Sequence, residues 1–137
     1  MTTKQREIPR GIRNNNPLNI RIGNVWLGEA KENTDGEFEQ FTSMKYGLRA
    51  AIVLLRRYIC HYHLNSIAQI VSRWAPCSEN NTRLYIDFVS KRVEISPDCP
   101  IDFNDKITIC KLVEAMVYYE CRTLIDYGMI EKAYDLS

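Results

Sequence analysis

The stretch NDKITICKLVEAMVYYEC, residues 104–121, decides the fold. Asn104 or Asp105 can cap a helix that runs to about Cys121. Val113, Met116, Val117 and Glu120 fall at i, i+3, i+4 and i+7, so Glu120 shares a face with three apolar side chains. Lys111, Glu114 and Tyr118 occupy a different face. Together with Ile109, the apolar stripe predicts a helix packed at the centre of a mainly α domain. A carboxylate at the C-terminal end of such a stripe is doubly disfavoured when ionised, because burial and the negative end of the helix dipole both raise its pKa. A general acid needs that shift to hold its proton near neutral pH. Glu120 is therefore the first catalytic candidate. The competing reading is a frayed helix end with Glu120 in solvent, or a structural ion pair with an Arg or Lys.

Working outward, residues 44–60 read as a second strong helix. Thr42 or Ser43 offers its N-cap, and Tyr46, Ala50, Val53, Leu54 and Tyr58 follow at helical spacing. Ser66 can cap a shorter helix carrying Ile67, Ile70, Val71 and Trp74, which Pro76 ends. Asn80 or Asn81 can cap another, with Leu84, Tyr85, Phe88 and Val89 on one face. Ser96 to Phe103 is a connector, and Leu124 to Leu136 predicts a last short helix. Residues 11–42, rich in Asn and Gly, read as loops with a short β-hairpin. Residues 1–10 read as a mobile lead-in, so the expected organisation is one domain over 11–137.

Composition narrows the function. The chain has 137 residues, enough for one domain and too few for two. Lys and Arg total 18 against 17 Asp and Glu, a formal charge of +1. That balance argues against nucleic acid as the partner, which would call for a marked basic excess, and leaves a neutral polymer open. No stretch approaches a membrane span, and the first eleven residues lack the apolar core of a secretory signal. The five cysteines, with no close CxxC pair, read as reduced thiols. His61 and His63 lie too close to pair on one helix face, so no metal site is expected. No phosphate loop is present and no cofactor is expected.

Two polar clusters complete the candidate site. Arg13-Asn14-Asn15-Asn16-Pro17, followed by Asn19 and Arg21, offers amide donors and acceptors suited to sugar hydroxyls and N-acetyl groups. Its plain reading is turn chemistry. Nearby Trp26 and Glu29 add an aromatic and a carboxylate. Arg73-Trp74-Ala75-Pro76-Cys77-Ser78-Glu79-Asn80-Asn81-Thr82, then Tyr85, leads from one helix into the next. Glu79 falls just ahead of a helix start, where the dipole favours its ionised form, suiting a second carboxylate that stays charged.

These motifs carry a resemblance. The run RGIRNNNPLNIR, VWLGE, DGEFEQF, GLRA and RWAP followed by ENNTRLY resembles a phage and prophage family described as virion structural proteins, across about residues 10–93. The family looks lysozyme-like and peptidoglycan-directed. Asn15 to Arg21, Phe41 to Leu55 and Glu79 to Tyr85 also look like motifs of bacterial cell-wall glucosaminidases, whose acid is a Glu near a helix end. In those enzymes the acid precedes the motifs; here Glu120 follows them, which implies a permuted lysozyme-like arrangement. The chain departs from the pattern in two places. Leu18 replaces a Gly, and Glu120-Cys121-Arg122 stands where relatives read Glu-Asn-Gly.

The resemblance implies cleavage of peptidoglycan glycan strands, of muramidase, glucosaminidase or lytic transglycosylase type. Glu120 would be the acid and Glu79 the second carboxylate, with Glu29 behind it. Asn14, Asn15, Asn16, Trp26, Trp74, Asn80 and Tyr85 would bind substrate. The alternative is a non-catalytic virion or wall-binding protein, with other virion proteins as partners.

Overall fold

The computed structural model describes residues 8–75 and 79–137. The lead-in over 1–7, the stop at Pro76 and the thiol of Cys77 lie outside the described residues, as do the side chains of Glu79 and Asn80. The chain folds into one mainly α domain. In chain order the helices are α1 (Arg10–Arg13), α2 (Met44–Arg56), α3 (Ile67–Trp74), α4 (Glu79–Val93), α5 (Lys106–Cys121) and α6 (Tyr127–Leu136). A π-helical turn, Arg57–His61, prolongs α2.

Local chemistry explains three of the helix starts. The Ser66 hydroxyl accepts from the Gln69 amide, while the Gln69 side chain accepts from the Asn65 amide, a reciprocal cap. Asp105 accepts from the amide and the hydroxyl of Thr108 and heads α5. Asp126 accepts from the Gly128 amide and starts α6. Ser43 occupies the cap position of α2 but makes no capping bond with its side chain. α4 already includes Glu79, so Asn80 and Asn81 lie inside its first turn instead of capping it.

α5 is the central element, packed by α1, α2, α4 and α6. Ile109, Cys110, Leu112, Val113, Ala115, Met116 and Val117 are all buried, so its apolar surface extends well beyond one stripe. Leu48, Ile52 and Leu55 of α2 and Ile130 of α6 close the core around it. Among the described residues, no helix is long and apolar enough to cross a membrane.

The flank over residues 14–42 is irregular. Instead of a β-hairpin it holds two isolated antiparallel bridges, Arg21 with Phe38 and Glu29 with Phe41. The one-turn helix α1 also falls where a loop was expected. Gly47 explains how this flank packs on α2: a Cβ there would stand 1.7 Å from the Asn15 carbonyl oxygen. The GLRA motif thus marks a close approach of two backbones.

Candidate functional site

Glu120 ends α5 beside the flank, half-buried at the edge of a pocket of about 340 Å³. Leu18, Asn19 and Arg21 form one wall; Phe38, Trp74 and Ala75 complete it. Glu120 is the one carboxylate among the described lining residues. Two donors hold it. The Tyr85 hydroxyl of α4 donates to Oε2 at 2.7 Å, and Asn19 Nδ2 donates to Oε1 at 3.0 Å.

Burial pushes the Glu120 carboxyl up to about 7, against the opposing pull of the Tyr85 and Asn19 hydrogen bonds. Near neutral pH it therefore exists in both forms, as a proton donor must. Each oxygen has one lone pair taken by a donor, leaving the others for a transferable proton. Tyr85 itself stays protonated, because burial and then the nearby Glu120 charge hold it well above the usual phenol range. Its ring stacks on Tyr119 at 4.2 Å, which fixes the hydroxyl.

The chain leaves α5 through Arg122 in the left-handed region, with φ 51° and ψ 33°. Its amide donates to the Tyr118 carbonyl at 2.8 Å, closing the helix. This is the position where the resembled phage family has Gly, the residue that adopts such a φ without strain. Leu18 behaves otherwise. The left-handed residues of the loop are Asn15 and Asn19, and Leu18 is buried in the core, so replacing Gly there requires no positive φ. Cys121 donates its thiol to the Pro17 carbonyl, and burial raises it to about 11. That thiol is a packing group and not a nucleophile.

Several expected substrate contacts are instead the frame of the site. Asn14 is buried between Asp35 and Gln40, donating to one and accepting from the other. Asn15 donates to the Phe41 carbonyl. Asn16 is fully buried and spends its amide on the backbone of Ile20 and Glu39. Backbone groups inside an irregular loop need such partners. Trp26 is buried beneath the Arg57 guanidinium and lines neither of the pockets described here. Glu29 accepts from the Trp26 amide and is likewise absent from the pocket wall.

Trp74 does line the pocket, its indole N–H held by the Leu18 carbonyl at 3.0 Å. Tyr85 reaches the site from beneath, through Glu120. Asn19 stood in the Asn cluster without a role, although it is the residue of that cluster that touches the acid. Arg21, named with the same cluster, also stands on the wall, and Phe38 beside it carries no signal as a site residue. Among the described residues, no cluster of His, Cys, Asp and Glu is arranged to hold a metal ion.

No protein-family model matches the chain. It is 40% identical over 122 residues to protein P5 of Pseudoalteromonas phage PM2, a match covering 86% of this chain and 74% of the relative.

Proposed function

The chain belongs to the family of that phage protein, and on this premise we propose that it cleaves the glycan strands of bacterial peptidoglycan with Glu120 as general acid. The observation that carries the reading is a carboxyl poised near 7 at the edge of a pocket, with two fixed donors behind it. In its protonated form Glu120 would donate to the glycosidic oxygen as that bond breaks. The developing positive charge on the sugar would then face the Glu120 carboxylate.

The lysozyme-like, permuted arrangement is part of the same proposal, with α5 as the acid helix placed after the Asn-rich loop. Glu79, at the head of α4, is the proposed second carboxylate, and Asn80 and Trp74 are proposed to meet the sugar. A substrate's own hydroxyl or acetamido group is the other route to the second step, and it needs Glu120 alone. Glu79→Gln separates these routes: loss of turnover supports an activated water, and retained turnover supports the internal nucleophile.

The deciding experiment is release of soluble fragments from purified peptidoglycan by wild-type and Glu120→Gln protein, with mass analysis of the products. Wild-type activity that Glu120→Gln abolishes supports the reading. No release from several peptidoglycan types would leave a non-catalytic virion or wall-binding component.

A further inference from the structure

Next to the acid's pocket lies a second one of about 420 Å³ that shares Arg21 and Trp74 with it. Its wall combines Ile20 and Leu54 with the rings of Tyr58 and Trp74 and two guanidinium groups, Arg21 and Arg73. No carboxylate is among its described lining residues. Arg21 meets Glu37 at 3.1 Å but keeps 72% of its side chain in solvent. Arg73 has no carboxylate partner among the described residues. It stands beside the Tyr58 hydroxyl and 5.8 Å from the centre of the Tyr62 ring.

The wall is rigid where it matters. Trp74 is pinned by the Leu18 carbonyl and meets Tyr58 edge-on at 5.5 Å. A chain with a formal charge of only +1 has therefore gathered two guanidiniums in one pocket, Arg21 shared with Glu37 at its exposed end and Arg73 without a carboxylate partner among the described residues. Guanidinium groups suit planar anions, which they grip through paired N–H donors. The volume falls within the range of pockets that take small organic groups.

We infer, on the basis of the glycan-cleavage reading, that this second pocket binds the carboxylate-bearing substituent of a muramic-acid-type sugar beside the bond at Glu120. The two pockets then give the groove a direction, with acid at one end and cations at the other. A strand can sit with its anionic substituent against Arg73 and Arg21 only when the adjoining linkage lies over Trp74 toward Glu120. Neutral polymers of N-acetylglucosamine lack that handle. The pocket would thus select an acidic, peptide-bearing glycan over a neutral one.

Binding is measured by titration calorimetry with Glu120→Gln protein, so that no ligand is consumed. Three ligands are compared: a disaccharide carrying its stem peptide, the same disaccharide with a free lactyl carboxylate, and neutral di-N-acetylchitobiose. At least one anionic ligand should bind more tightly than the neutral one. Arg73→Gln, added to this protein, should weaken anionic binding roughly tenfold or more, the value of a charge-assisted hydrogen bond, and leave the neutral ligand unchanged. Arg73→Lys should recover part of the loss. A loss confined to one anionic ligand assigns the carboxylate to the peptide or to the lactyl group.

Equal weakening of all three ligands, no weakening of the anionic ones, or no anionic binding at all would overturn the inference. Thermal denaturation of the Arg73 variants verifies that the fold persists. The two readings also fail separately. Wild-type cleavage with binding indifferent to Arg73 leaves the acid and removes the anion pocket; Arg73-dependent binding in a protein that cleaves nothing does the reverse.

Discussion

Glu120 and Glu39 are two carboxyls with the same displaced acidity and different surroundings. Both are pushed up to about 7, Glu120 by burial and Glu39 by burial first, then by its hydrogen bond to Glu29 and the charge of that neighbour. Glu120 opens onto a pocket and is held by two neutral donors from distant parts of the chain. Glu39 is 5% exposed, lines neither pocket, and has a buried Oε2 without a hydrogen-bond partner. Its backbone is tied on both sides, by the Ile20 carbonyl and by Asn16 Nδ2. A raised pKa alone therefore does not mark a working acid. Access and a fixed orientation separate the two residues.

The largest expected effect tests that distinction directly. Glu120→Gln should lower turnover of peptidoglycan by about 10²–10⁴-fold, the usual worth of general acid catalysis. Glu39→Gln should leave the rate within a small factor of wild type. A loss of similar size from both variants, measured as fragment release on folded protein, would erase the contrast.

Acidity should also appear in stability. Each of the two carboxyls binds its proton more tightly in the folded chain than at its ordinary value of 4.5. Each therefore contributes stability that is full below about pH 4.5 and lost as pH rises through about 7. Asp35 works in the opposite sense. Its hydrogen bond from Arg10, then that from Asn14, holds it far below 3.8, so its contribution is lost as pH falls beneath that value. The melting temperature should accordingly be higher at pH 5 than at pH 8. Glu39→Gln and Glu120→Gln should each flatten that slope, and an unchanged slope in either variant would remove its carboxyl from the account.

A smaller effect sharpens the role of the donors behind Glu120. The Tyr85 hydroxyl lowers the carboxyl's pKa, so Tyr85→Phe should raise it and carry the alkaline limb of the pH–rate profile upward. The expected loss of stability is about 1 kcal/mol, from one hydrogen bond. A limb that stays in place would show that Tyr85 only packs.

The smallest effect concerns the turn after the acid. Arg122→Gly should stabilise the domain by up to about 1 kcal/mol, because a non-glycine residue at the left-handed position is strained. Chemical denaturation measures it, and turnover should not change. Destabilisation would mean that the Arg122 guanidinium, 5.6 Å from the Tyr119 ring centre, matters more than the backbone.

Much of this arrangement is legible in the sequence. Caps at Ser66 and Asp105 and the apolar run of α5 placed two helices, and the i, i+7 relation of Val113 to Glu120 put the acid on a buried face. The partners of that acid were not legible. Asn19 and Glu120 are 101 positions apart, and only tertiary packing joins them. The three consecutive asparagines look equally suited to substrate, but an irregular loop without a ladder must satisfy its own backbone, and Asn15 and Asn16 are spent on it, while Asn14 is held by the Asp35 and Gln40 side chains. Leu18 showed the limit of reading one substitution alone, since its neighbours at 15 and 19 carry the left-handed turns. Glu39 gives no signal because its displaced acidity arises first from tertiary burial and then from Glu29, ten residues earlier, neither of which its local sequence shows.

The chain's two tryptophans are divided between the two regions compared above. Trp26 is buried, its amide bonded to Glu29, which in turn holds Glu39. Trp74 is half-buried on the wall common to both pockets. The protein thus carries one intrinsic fluorophore at each of its unusual carboxyl sites. Their emission should differ, bluer for the enclosed indole and redder for the one that meets solvent. Trp26→Phe would leave a single tryptophan reporter at the groove, able to test the proposed binding of a glycan there in real time and without any attached dye.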